Sequence, residues 1–151
     1  MTLDDRRQTM MSNPKSEYEH LIAQANEVRS NAYAPYSHFR VGAALLAKSG
    51  RVYTGCNIES ASFTPTMCAE RVAIGTAIAA GEPVGGFSVI AVVGGLEEPT
   101  PPCGVCRQVL AELAPGIVVV MASDPEKGDG RMEMTIEDLL PFGFTTYQDP
   151  Q

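Results

Sequence analysis

The sequence predicts an α/β fold in three layers, α/β/α, with helices on both faces of a mixed sheet of about five strands. Three observations carry that expectation. Residues 87–93 and 117–121 are β-branched apolar runs separated by a helix-forming stretch, and strand, helix, strand at this spacing is a βαβ unit, which needs parallel neighbours. Residues 41–46 and 52–57 are apolar runs joined by Lys48-Ser49-Gly50-Arg51, the composition of a hairpin turn. Helix-forming stretches begin near residues 16, 68 and 103.

Residues 1–14 are polar and without periodicity, and are read as a flexible arm ahead of one domain spanning 15–151. Tyr18, Leu21, Ile22, Ala25, Val28 and Ala32 recur at helical spacing, with Ser16 as N-cap and Glu19 closing a capping box. Pro35 ends that helix, because it disfavours helical geometry in Ala34 and has no N–H to continue the ladder. After the hairpin, residues 58–67 are small and polar around Pro65 and deliver the chain to Cys68. An alanine-rich helix at 68–80 stops at Gly81. The run 87–93, apolar almost throughout, reads as a strand buried on both faces. Prolines then lead into a helix at 103–113, which Pro115-Gly116 stops. Beyond the strand at 117–121 come a polar loop at 123–130, a short strand at 132–135 and a last helical turn at 136–140 before Pro141. The tail carries Phe142, Phe144 and Tyr147, aromatics that a monomer has little to bury against.

At 151 residues and 44% hydrophobic the chain is long enough to bury a core. A net charge of -7 and a pI near 4.7 argue against nucleic acid, whose binding draws on Lys and Arg to neutralise phosphates, and favour a small neutral partner. No apolar run of membrane-spanning length and no signal-peptide pattern is present, so no membrane partner is expected and the location is read as cytoplasmic. In that reducing compartment four cysteines point to metal or catalysis ahead of disulfides.

The chemistry lies in Cys68-Ala69-Glu70-Arg71 and Pro102-Cys103-Gly104-Val105-Cys106-Arg107-Gln108. Cys103 and Cys106, three apart on a helix, share one face and reach a single ion. Cys68 and Glu70, two apart, diverge on a regular helix; they converge only if Cys68 stands at its very start, where the preceding loop sets its direction. Three thiolates fill three corners of a tetrahedron around zinc and leave the fourth open for water. Helix N-termini favour the thiolate form. Zinc with three thiolates carries a net charge of about -1, which weakens it as a Lewis acid. Arg71 and Arg107 stand beside the motif to compensate through charge-assisted hydrogen bonds to sulfur. Glu70 then works as a proton carrier between water and a substrate nitrogen. Two other readings compete: a redox Cys-x-x-Cys pair, and a structural zinc closed by His38 or Cys56. Neither uses Glu70, and Cys56 otherwise reads as a small apolar residue ending a strand.

At these residues the chain resembles the zinc-dependent cytidine deaminases, and closely their small homotetrameric form. The likeness extends to Ala32-Tyr33-Ala34-Pro35-Tyr36-Ser37-His38-Phe39, Val41-Gly42-Ala43-Ala44-Leu45, Gly55-Cys56-Asn57-Ile58-Glu59 and Leu139-Leu140-Pro141, all in family order, and runs from the first helix to Phe144. The resemblance implies one zinc per subunit held by Cys68, Cys103 and Cys106, and hydrolytic deamination of cytidine and deoxycytidine in pyrimidine salvage. Glu70 would protonate N3, deprotonate water and then protonate the departing ammonia. Asn57 and Glu59 would bond the ribose 3′-hydroxyl, Phe39 would stack near the base, and Ala69 would offer its carbonyl to the leaving amine. Arg71, Arg107 and Gln108 would surround the ligands. Phe144 would reach into a neighbouring subunit's pocket, giving shared active sites.

Ser60, and Phe63-Thr64-Pro65-Thr66-Met67 before the first ligand, depart from the usual family forms and bear on the choice among cytidine, deoxycytidine and analogues. Two rival functions follow from the same residues. One is deamination of a related compound such as a cytosine-nucleoside antibiotic, against which the Asn57 and Glu59 clamp favours plain nucleosides. The other is a non-catalytic, zinc-stabilised nucleoside-binding module.

Overall fold

The computed structural model of the chain describes residues 18–146; the expected arm at 1–14, the expected N-cap Ser16 and Tyr147 lie outside them. Helix α1 (Glu19–Arg29) is followed by the hairpin β1 (Gly42–Ala47) and β2 (Val52–Cys56), then α2 (Ala69–Ala79), β3 (Phe87–Val93), α3 (Gly104–Leu113), β4 (Val118–Ala122), β5 (Arg131–Thr135) and the short α4 (Ile136–Leu139). The five strands form one sheet in the order β2-β1-β3-β4-β5. Only β3 and β4 run parallel, joined by α3 as the βαβ pattern requires; β1 is antiparallel to β2 and β3, and β5 to β4.

Strand β3 is apolar but for Ser88 because it is covered on both faces. Ile90 and Val92 point to a core shared with Ala73 and Ile74 of α2, Leu110 of α3 and Ile136 of α4. Val89, Ala91 and Val93 point the other way, against Leu21 and Ala25 of α1. The three expected layers are thus α1, the sheet, and α2 with α3 and α4.

Two glycines of the hairpin set how closely the layers approach. A Cβ on Gly42 would lie 1.9 Å from the carbonyl oxygen of Ala25 in α1, and one on Gly55 would lie 2.4 Å from the Ala69 oxygen and the Ala73 nitrogen of α2. Helix backbone therefore rests directly on strand backbone on each face.

Helix α1 starts later than the capping-box pattern suggests. Tyr18 stands at the N-cap with no side-chain cap, and Glu19 is the first helical residue, not the third. Glu19 pairs instead with Arg131 of β5, Oε1 to Nη1 at 2.7 Å. A capping box does form at α4, where Thr135 and Asp138 bond each other's backbone N–H.

Glu82, three residues past α2, locks the hairpin turn to the end of that helix. Buried Glu82 accepts from the Ser49 hydroxyl at 2.6 Å and the Tyr53 hydroxyl at 2.9 Å, and pairs with Arg51 at 3.1 Å. The Ser49 hydroxyl above all, with Tyr53 and Arg51, holds its carboxyl below the ordinary 4.5. A depressed native value means a contribution fully present above the unfolded pKa and lost as pH falls through the native one. Glu82→Gln is expected to lower the thermal midpoint at neutral pH, the gap from the parent closing in melts below about pH 4. Gly55→Ala, which forces α2 off the sheet, is expected to cost about 3 kcal/mol in denaturant unfolding.

Candidate active site

Two helices begin at one spot. Cys68 is the N-cap of α2 with φ -74° and ψ 154°, and Cys103 is the N-cap of α3 with φ -67° and ψ 166°. Both are extended, so the loops before the helices aim the thiols. The divergence of Cys68 from Glu70 expected on a regular helix is removed in this way. Cys106, in the first turn of α3, is fully buried. The three sulfurs lie within 4.8 Å of one another, with Cys68 and Cys103 3.8 Å apart, and all three thiols are free.

This donor set fits zinc. A tetrahedral ion with Zn–S bonds of about 2.3 Å sets sulfurs about 3.8 Å apart. Two helix N-termini direct positive dipole ends at the cluster. Arg71 Nη2 lies 3.5 Å from the Cys68 sulfur and also donates to the Thr66 carbonyl at 2.9 Å, which ties the loop before the ligand to the ligand itself. Hydrogen bonding from Cys106, then Arg71 and Cys103, draws the Cys68 thiol down to about 5. Cys106 moves upward, first through the hydrogen bond it gives Cys68 and then through burial. Burial pushes the Glu70 carboxyl, 4% exposed, up to about 7, and the Cys68 charge adds to the rise.

A cavity of about 200 Å³ opens beside the thiols, and Cys68, Cys103, Ala69 and Glu70 form its floor. Phe39, Asn57 and Glu59 are in its wall, so residues spread from 39 to 103 meet in one pocket. Main-chain stitching brings them there. Ile58 exchanges hydrogen bonds with Met67 at 2.9 and 3.0 Å, while Tyr33 bonds Asn57 and Glu59 at 3.0 and 2.8 Å. Asn57 Oδ1 accepts from Val41 N and its Nδ2 donates to Phe39 O, both at 2.8 Å. Glu59 accepts from the backbone N–H of Tyr36 at 2.9 Å and of Ser37 at 3.2 Å, and from the Ser37 hydroxyl. That hydroxyl foremost, with the two N–H groups, keeps the Glu59 carboxyl below its ordinary range. Asn57 and Glu59 thus brace the 36–41 loop as well as facing the cavity.

Other expected residues stand further out. Arg107 turns from the sulfurs: Nε donates to Pro102 O and Nη1 to Leu139 O, each at 2.9 Å. Gln108 donates to the Phe144 carbonyl at 2.8 Å and to Glu112 at 2.6 Å. The Phe144 ring is 73% exposed and outside the residues lining the cavity. Cys56 ends β2, half-buried and apart from the thiol cluster, as its isolated place in the sequence suggests.

Thr66, in the atypical loop expected to bear on substrate choice, also lines the cavity; so do Ser37, Val41, Thr100 and Pro101, to which motif reasoning gave no individual part in it. Ser37 alone had a signal, since a carboxylate at Glu59 needs donors nearby. The atypical loop before Cys68 borders a wider groove of about 730 Å³ that shares Ser37, Glu59 and Thr66 with the cavity. There Phe63, at φ 58°, meets the Tyr36 ring edge-on with centroids 6.1 Å apart.

Residues 15–122 match the family model described as the cytidine and deoxycytidylate deaminase zinc-binding region. The chain is 47% identical over 127 residues to a cytidine deaminase of Sporosarcina psychrophila, covering 84% of this chain and 90% of that one. It is 48% identical over 125 residues to the cytidine deaminase of Halalkalibacterium halodurans, covering 83% and 92%. The crystal structure of a cytidine deaminase from Burkholderia pseudomallei superposes with a TM-score of 0.79 at 44% identity, covering 86% of this chain and all of that one. That from Mycobacterium tuberculosis gives 0.71 at 34% identity, covering 87% and 100%.

Metal analysis of purified protein is expected to return one zinc per chain. Alanine at Cys68, Cys103 or Cys106 is expected to abolish it, and Cys56→Ala to leave it unchanged.

Proposed function

Because the chain belongs to the cytidine and deoxycytidylate deaminase family, we propose that its pocket hydrolyses the exocyclic amine of cytidine and deoxycytidine, giving the uridine products and ammonia. The observation that carries this is the three-thiol cluster with buried Glu70 on the same cavity floor. Zinc held by Cys68, Cys103 and Cys106 supplies, when bound, Lewis acidity that makes water nucleophilic near neutral pH.

The protein's own residues do the rest. Glu70 is shielded from bulk solvent, so a proton it takes from water is kept for the substrate. It delivers that proton to N3, which makes C4 electrophilic, and it passes a second to the amine as the C–N bond breaks. Phe39 holds the base against the cavity wall, and Ala69 receives the amine. Asn57 and Glu59 use the acceptor and donor capacity left over from bracing the 36–41 loop to hold the ribose 3′-hydroxyl. Arg71, beside Cys68, offsets the anionic charge of the thiolates.

The exposed ring of Phe144 supports a second part of this reading: a homotetramer in which Phe144 closes the pocket of a neighbouring copy. Among the described residues no helix is long and apolar enough to cross a membrane. A cytoplasmic enzyme without nucleic-acid partners accords with the acidic charge of -7. The rival nucleoside-like substrates would enter past Phe63 and Thr66, where the groove meets the cavity.

Ammonia release scored over cytidine, deoxycytidine, cytosine-nucleoside antibiotics and related analogues tests the reaction. Glu70→Gln is expected to keep its zinc and lose more than about 1,000-fold in kcat. Wild-type protein that binds cytidine but frees no ammonia would instead identify the binding-module reading. Sedimentation is expected to give a tetramer, and a monomer at assay concentration would remove the role of Phe144.

A further inference from the structure

The segment that follows α4 is held by the two residues that follow Cys106. Arg107 Nη1 donates to the carbonyl of Leu139 at 2.9 Å, and Gln108 Nε2 to the carbonyl of Phe144 at 2.8 Å. Between these anchors the chain passes through Phe142 at φ 59°, a left-handed conformation that an L side chain rarely adopts. Packing does not repay it, since Phe142 is fully exposed and Phe144 is 73% exposed. The turn carries its own backbone bond from Gly143 N to Leu140 O at 3.2 Å, long for such a contact. A locally disfavoured turn that buries no ring takes its order from the side chains at its two ends.

Gln108 is the anchor next to the ring. The second hydrogen of its amide goes to Glu112 Oε1 at 2.6 Å, one helical turn further along α3, which fixes the rotation of the amide and leaves the first hydrogen directed at Phe144. The sequence placed Gln108 among the residues surrounding the thiols; the geometry turns its amide to the tail.

We propose that Gln108 is a positioning residue for Phe144: its amide sets where the ring is presented, and through the ring how well a neighbouring copy's pocket closes over the nucleoside. This rests on the reading of Phe144 given above. Gln108 Nε2 donates to Glu112 and to the Phe144 carbonyl, and Gln108 is not among the residues lining the cavity, so its loss acts on substrate binding and not on the proton transfers of Glu70.

The test compares Gln108→Met, which keeps length and helix propensity but lacks the N–H, with Gln108→Lys, which restores a donor, and with Phe144→Ala. Gln108→Met is expected to raise KM for cytidine about fivefold, the worth of one ordinary hydrogen bond, with kcat within about twofold. Zinc content should be unchanged, and amide exchange in residues 142–146 should accelerate. Gln108→Lys should recover KM and protection together. If Phe144→Ala raises KM and Gln108→Met leaves both KM and exchange unchanged, the positioning role is overturned. If Phe144→Ala itself leaves KM unchanged, the lid reading fails, and this inference with it.

Discussion

Everything at the site depends on helix α2 lying with its backbone against Gly55. The contact is possible only because β2 has no side chain there: the Ala69 oxygen and the Ala73 nitrogen occupy the place a Cβ would take. It fixes the first turn of α2, hence Cys68 at its N-cap and Glu70 within that same turn. Gly42, across the hairpin and on its opposite face, does the same for α1, so the hairpin is clamped between two helices at the end where the pocket forms. Helix α3 enters the same corner by the right-handed logic of a βαβ crossover from β3 to β4. Two N-termini then meet, with their positive dipole ends and free N–H groups beside clustered sulfur.

The polar residues of the pocket serve structure and chemistry together. A carboxylate and an amide placed at a strand end would leave costly unsatisfied groups if they only awaited a ligand. Asn57 and Glu59 instead satisfy themselves on the backbone of residues 36–41, which makes that loop, Phe39 included, a fixed wall. On the function proposed above, their remaining lone pairs and hydrogen would hold the sugar hydroxyl. Binding then needs little reorganisation, which is the condition for spending interaction energy on the reaction.

Charge is distributed with the same economy. The chain is acidic overall, yet at the thiols one guanidinium does the compensating, because Arg71 is a turn from Cys68 on α2 and reaches back both to its sulfur and to the loop carbonyl of Thr66. Arg107, directly next to Cys106 in sequence, lies on the side of α3 that faces α4 and the tail, and is spent on carbonyls. Helix α3 consequently has two jobs: its first turn supplies thiols, and the residues just after them hold the C-terminal segment.

The layers, the hairpin, the βαβ unit and the thiol set were legible in the sequence because they follow from local periodicity: alternation and apolar runs mark strands, and cysteines three apart share a helical face. The pairing of Glu70 with the thiols was legible through chemistry, since no competing reading used a carboxylate there. Tertiary structure alone decided the rest. Helix α1 starts at Glu19, whose side chain pairs with Arg131 of β5, over a hundred residues away, in place of closing a capping box. The cavity walls at Thr100 and Pro101 carry no motif, since any residue of suitable size can line a cavity. The directions of Arg107 and Gln108 depend on where the tail returns, and spacing along one helix contains no information about what packs against it. Local chemistry is written into the order of the residues, but which neighbour each side chain meets is fixed only when the layers close on one another.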